Sequence, residues 1–301
     1  MSHPSFVRIY GALFLVQIIF GLHYLTTSLI VERIDAFEWT AVRILFAGVF
    51  MIIIYHRTIL NFPSGKEWYF LILLSLLGIV LNTALFTKGL ELTTPAHASL
   101  ISCMIPVMTL VFAWLLGQEK MTRYKSLSLI TAMSGALILL GIDDLDIRSD
   151  LFIGDVLIFI NFSCFGLFLV LSKSVINHHS PIGLSVLVMS IGSVLLLPLS
   201  TKNILFSHDI WLVQPWWIWG AAFYSIFFAT VVTYSLNYYA MSHVDSSKVA
   251  LFIYFQPVVA GTLSVALGMD KITLRLIVSS ILILSGLLLS TIDDKSASEV
   301  R

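Results

Sequence analysis

A polar side chain held at mid-depth in hydrocarbon has no water to bond to, so it must face another helix or a wet cavity. Ten residues of this very apolar chain meet that condition: His23, Tyr24, Asn82, Lys88, Asn161, Tyr234, Asn237, Tyr238, Tyr254 and Gln256. Tyr234, Asn237 and Tyr238 are spaced i, i+3, i+4 and so share one helical face. One face of phenol and amide groups suggests the lining of a substrate passage. Hydrogen bonding between helices is the competing reading, because polar residues serve membrane bundles in that way without touching a ligand.

His23 is the only histidine well inside an apolar stretch. Imidazole chemistry suits a proton relay; a neutral, hydrogen-bonded packing histidine is the alternative. No Asp or Glu falls at the centre of such a stretch, so proton coupling has no obvious carboxylate carrier, and exchange or facilitated diffusion fits equally well. Lys88 either attracts a carboxylate or phosphate of a substrate or extends its stem to the interface, with Glu91 as a partner three residues on. Arg43 reads as structural, paired with Asp35, Glu38 or backbone carbonyls. Pro106 and Pro257 each remove an N–H and release a carbonyl one turn earlier, which predicts a kink at both positions. Such breaks often border a cavity, and a kink needed only for packing is the other reading. Cys103 and Cys164 lie in apolar stretches without spaced partners, so they indicate buried small residues, and neither a disulfide framework nor a metal site. No cofactor is indicated.

The elements that must position these groups follow from composition. Of 301 residues, 58% are hydrophobic and 11% charged, against roughly 25% charged in soluble domains. Mean hydropathy is +0.96. Apolar surface on that scale must face lipid, and zero net charge with no long basic run argues against a nucleic-acid partner. Stretches long enough to cross about 30 Å of hydrocarbon as helices fall near 6–30, 36–56, 68–90, 95–117, 124–142, 151–175, 181–199, 215–240, 247–267 and 272–292. The first is read as a spanning helix with no signal-peptide cleavage site. All seven tryptophans, Trp39, Trp68, Trp114, Trp211, Trp216, Trp217 and Trp219, lie at or just outside span ends, where headgroups favour them. Ten of the 17 Lys and Arg residues fall on the side of the N-terminus, which predicts cytoplasmic termini.

Displaced by 151 residues, the third to fifth spans align with the eighth to tenth. Trp68 falls on Trp219, Pro106 on Pro257, Leu116-Gly117 on Leu267-Gly268, Lys120 on Lys271 and Ser134-Gly135 on Ser285-Gly286. The earlier spans align at 145, with Phe20-Gly21-Leu22 on Phe165-Gly166-Leu167. The expected fold is therefore an all-α integral membrane protein of ten transmembrane helices in two five-helix repeats, residues 1–146 and 147–301. An odd number of spans per repeat inverts the second against the first, a plan that suits alternating access. Inversion also puts Asp143-Asp144 and Asp293-Asp294 on opposite faces, where they cannot cooperate as catalytic acids, and no phosphate-binding glycine loop is present. Glu119 and Asp270, related by the repeat, are expected at the two interfaces, bracing the turns that follow.

The segment Gly117-Gln118-Glu119-Lys120-Met121-Thr122, between a Pro106-containing and a Gly135-containing helix, resembles the half-repeat signature of the EamA family of the drug/metabolite transporter superfamily. Its partner is Gly268-Met269-Asp270-Lys271-Ile272-Thr273. Arg43 resembles an arginine these proteins often carry there. Asp270 stands where the family usually has Glu, and Lys88 is an unusual charge. The resemblance implies ten helices, a multi-pass cell (inner) membrane location with cytoplasmic termini, and export of small metabolites such as amino acids. A membrane scaffold or receptor is the second reading, and an intramembrane enzyme the third; short loops offer a scaffold little surface. Oligomeric state is not legible, since no small-xxx-small face stands out.

Overall fold

Long apolar segments satisfy every backbone N–H and C=O internally only as helices or closed barrels, and every regular element among the described residues is helical. The computed structural model describes residues 6–58, 65, 67–93, 98, 101–140, 152–176, 180–204, 214–256, 258, 259, 262 and 273–298. Its helices are α1 (Phe6–Val31), α2 (Ala36–Tyr55), α3 (Glu67–Ser75), α4 (Asn82–Leu92), α5 (Met104–Leu115), α6 (Arg123–Leu140), α7 (Phe152–Ile176) and α8 (Pro181–Ile204). They are followed by α9 (Trp216–Phe223), α10 (Thr233–Met241), the short α11 (Ser246–Leu251) and α12 (Leu274–Ser298).

Five stretches are long and apolar enough to cross a membrane: Ala36–Tyr55, Glu67–Leu90, Phe152–Ile176, Pro181–Pro198 and Trp216–Met241. Val7–His23, Met104–Leu115 and Leu274–Leu289 are shorter apolar helices. Aliphatic side chains such as Ile53, Ile130, Val194 and Leu288 stand outward and exposed, as a lipid-facing surface requires. The link at 141–151, and with it Asp143, Asp144 and the expected boundary at 146, lies outside the described residues, as do Trp211, Pro257, Asp270 and Lys271.

Two of the apolar stretches are not α-helical throughout. α3 runs into α4 through a π-helical segment, Leu76–Leu81, and α9 into α10 through another, Tyr224–Val232. The 151-residue displacement carries 76–81 onto 227–232, so the wide turns occupy matching places in the third and eighth expected spans. Inside the second, the Thr230 hydroxyl donates to the carbonyl of Ser225, five residues back, at 2.8 Å. Nothing in residue type announces these segments; π turns recur at functional sites.

Helix pairing follows the internal repeat. Among the described residues α6 and α12 form the most extensive pair. A Cβ on Gly135 would stand 2.8 Å from the Ser279 carbonyl oxygen and 2.9 Å from Ile283, and one on Gly286 would stand 2.8 Å from the Ser128 carbonyl oxygen and 2.7 Å from Ala132. Displacing Gly135, Ser128 and Ala132 by 151 gives Gly286, Ser279 and Ile283, so each helix offers its partner the same surface. The contact is two-fold in character, and glycine is what lets the backbones approach. α2 and α8 pair likewise: Gly48 faces Ser193, 145 residues on, and the Ser193 hydroxyl donates to the Ile44 carbonyl at 2.9 Å.

Two expectations need correction. Trp39 lies at a helix end but is fully covered, in the same apolar core as Ile30 and Ile34, because the start of α2 is tucked into the bundle; Trp114, Trp216 and Trp219 are exposed as expected. Cys103 is buried, whereas Cys164 is only half-buried. Pro106 sits in the first turn of α5, where a missing N–H is tolerated, and the helix is interrupted just ahead of it at Cys103, where the expected kink would fall. The Cys103 carbonyl exposed by that break accepts the Tyr254 hydroxyl at 2.8 Å.

Candidate functional site

A cavity of about 720 Å³ lies between helices of the two halves of the sequence, within the roughly 300–1,000 Å³ usual for small-molecule sites. Its wall reaches the exposed turn Glu32–Asp35 that joins α1 to α2. That turn is fixed because the Asp35 carboxylate caps α2, accepting the N–H groups of Phe37 and Glu38 at 3.0 Å each. Asp35 is thereby engaged away from Arg43, for which it was a proposed partner.

α1 contributes a stripe at helical spacing, Gln17, Phe20, His23, Thr27 and Val31, to the cavity wall. Opposite His23, α2 projects Arg43, which is buried with 8% exposure. One guanidinium nitrogen lies 2.7 Å from His23 Nε2. Arginine has only donors, so Nε2 accepts, which makes the imidazole neutral with its proton on Nδ1, 3.3 Å from the Thr27 hydroxyl. Arg43 Nε has no hydrogen-bond partner among the described residues. In place of the expected acidic partners, Arg43 stands on the cavity wall beside a neutral histidine.

The amide groups come from α4, α7, α10 and the segment after α11. Asn161 is fully buried; its Nδ2 donates to the Asn82 carbonyl, and its Oδ1 has no partner among the described residues. Gln256 Nε2 donates to Gln17 Oε1 at 2.8 Å. The Tyr234 hydroxyl donates to the Gly78 carbonyl at 2.8 Å, an acceptor that lies within the first π turn. Phe86, Phe162 and Phe165 supply an apolar flank.

Of the residues singled out from sequence, His23, Asn82, Asn161, Tyr234, Asn237 and Gln256 line this one cavity. Tyr238, Tyr254 and Lys88 do not. One helical turn past Tyr234, the 40° of rotation left over from four residues at 100° carries Tyr238 to α7, where its hydroxyl meets that of Ser172 at 3.3 Å. Tyr254 spends its hydroxyl on Cys103, and Lys88 is half-buried outside the cavity. The side chains of Tyr24 and Glu91 lie outside the described residues. Sequence reasoning missed Gln17 and the pairing of Arg43 with His23; Gln17 and Arg43 are polar groups within apolar helices, the same signal that found His23.

A second polar cluster, none of whose members lines the cavity, joins the two halves. α5 ends in a Schellman turn in which Gly117 adopts φ +68° and the Gln118 N–H bonds the Ala113 carbonyl at 2.9 Å. That reversal turns Glu119 inward, so it is buried with 8% exposure. Its carboxylate accepts Lys125 Nζ at 2.7 Å, the Ser246 hydroxyl at 2.9 Å, the Ser247 N–H at 3.1 Å and the Ser247 hydroxyl. Lys125 Nζ also meets Asp245 at 2.8 Å. Burial opposes ionisation of Asp245, but the Lys125 hydrogen bond and the charges of Lys125, Lys248 and Lys173 outweigh it and hold the carboxyl below its ordinary range.

The profile of the EamA-like transporter family matches residues 8–141 and again 152–292. Bacillus subtilis (strain 168) has a protein named uncharacterized transporter YyaM that is 27% identical over 252 residues, covering 80% of this chain and 79% of that one. Its uncharacterized transporter YoaV is 21% identical over 287 residues, covering 95% and 97%. An uncharacterized transporter of Archaeoglobus fulgidus is 23% identical over 279 residues, covering 92% and 95%. A solved crystal structure superposes with a TM-score of 0.78 at 17% identity, over 96% of this chain and 97% of the other; the two share a fold.

Proposed function

We propose, from the premise that the chain belongs to the EamA-like transporter family, that it moves a small amphipathic metabolite across the cell (inner) membrane by alternating access between two inverted five-helix halves. The chain is a multi-pass membrane protein and a transporter of the drug/metabolite type. The observation that carries the finer reading is the cavity of about 720 Å³, built from both halves and reaching the Glu32–Asp35 turn. Two separate profile matches, the matching π turns and the reciprocal Gly135 and Gly286 contacts support the two-fold plan of ten spans. On that plan the Glu119 cluster falls on the face opposite the Glu32–Asp35 turn, which supports reading the cavity as open on one side and the cluster as a closure on the other. The excess of Lys and Arg on the N-terminal side supports cytoplasmic termini, and on that reading the open side is the outer one. Amino acids are the leading substrate class and export the direction, both on the family resemblance.

Reconstitution into liposomes with a labelled metabolite panel, with and without a pH gradient, tests this. Some compounds should cross faster than in empty liposomes, and a gradient effect would assign proton coupling. A broad panel with no member carried would overturn transport. Single cysteines at positions 143 and 293, with Cys103 and Cys164 replaced, should label from opposite sides; labelling from one side would overturn the inversion.

A further inference from the structure

A guanidinium enclosed by protein needs a negative charge nearby, because removing a cation from water without a counter-ion is strongly unfavourable. Arg43 has none. It is buried, its only hydrogen-bond partner among the described residues is a neutral imidazole, and its Nε is unpaired. The acids on the cavity wall, Glu32 and Asp35, are exposed at the turn, and Asp35 is committed to capping α2. Arg43 nonetheless lines the cavity.

We infer that the substrate supplies the missing charge: the cavity takes a small organic acid with a single carboxylate, amino acids included, and that carboxylate docks on the Arg43 guanidinium beside His23. The planar fork of arginine matches a carboxylate with two parallel hydrogen bonds. A doubly charged phosphate would call for a second buried cation, and the other basic group on the wall, Arg33, is exposed and stacked 5.2 Å over the Trp217 ring. The body of the molecule is apolar, since Phe86, Phe162 and Phe165 flank the space. The buried, unpaired Oδ1 of Asn161 accepts an N–H or O–H elsewhere on the same molecule. This rests on the transporter reading and names the chemistry of its substrate.

Hydrocinnamate, hydrocinnamide and 3-phenylpropylamine share one body and differ in charge. With the full-length protein in liposomes, hydrocinnamate should inhibit uptake of a carried panel compound about tenfold more strongly than the other two, as a charge-assisted pair requires. Arg43→Gln should abolish that preference and Arg43→Lys should keep part of it. Equal inhibition by acid and amide, or a preference surviving in Arg43→Gln, overturns the inference and leaves transport standing. Should Arg43→Gln fail to fold, the wild-type protein decides: hydrocinnamate must raise its Tm more than hydrocinnamide does, and equal shifts overturn the inference. Absence of any carried compound is the separate failure that removes the transporter reading.

Discussion

Replacing Glu119 with Ala should destabilise the protein more than replacing Lys125 with Met, although the two residues form one ion pair. The pair is buried, with side-chain exposures of 4% for Glu119 and 9% for Lys125. Removing Glu119 strands three further donors, the hydroxyls of Ser246 and Ser247 and the Ser247 N–H, and each orphaned donor costs about 1 kcal/mol or more. Lys125 would still hold Asp245, so the loss sums to about 3 to 4 kcal/mol. Lys125→Met leaves Glu119 with all three of those donors, which lowers the usual penalty of about 3–5 kcal/mol for a stranded buried charge to about 2 kcal/mol. Reversible unfolding in detergent micelles, followed by tryptophan fluorescence, measures both. If Lys125→Met proved as damaging as Glu119→Ala, the carboxylate would be half of a simple ion pair, and its role in fastening the start of α11 to the end of α5 would be wrong.

Four further outcomes are expected. Gly135→Ala and Gly286→Ala should each destabilise by about 1–3 kcal/mol, since the added carbon meets backbone or Cβ atoms at 2.7–2.9 Å; a pair of silent substitutions would contradict the reciprocal packing. Tyr234→Phe should lower stability by about 1 kcal/mol through the stranded Gly78 carbonyl, read in the same unfolding assay. Asn237→Ala, on the cavity wall, should alter uptake without altering the amount of folded protein; unchanged transport would remove it from the site. Because Asp245 is held below its ordinary range, its contribution is complete above the unfolded value of about 3.9 and is lost as pH falls through the folded value. Tm of the wild type should therefore drop in acid more steeply than that of Asp245→Asn.

The repeat, the helix class and several polar groups of the cavity wall were legible because hydrophobic span length and isolated polar groups are written directly in residue type. Gly135 and Gly286 aligned in sequence and meet in reciprocal contacts across α6 and α12. Tyr238 and Tyr254 escaped correct placement because burial alone does not say whether a polar group faces a neighbour or a void; each turned to a partner of its own. Arg43 was misread because its local acids, Asp35 and Glu38, were nearer in sequence than His23, twenty residues away on another helix. The π turns left no trace, since a wide turn depends on how two helices pack and no residue type demands it.

Those turns carry a mechanical consequence. A π turn stores one residue more than an α-helix would place in the same span, so if it relaxed or migrated along the helix, everything beyond it would rotate by about 100° and shift by about 1.5 Å. The first holds the carbonyl that receives Tyr234, and the second leads into the helix that carries it. A shift in one would therefore reach the other through the Tyr234 to Gly78 hydrogen bond, on the wall of the cavity.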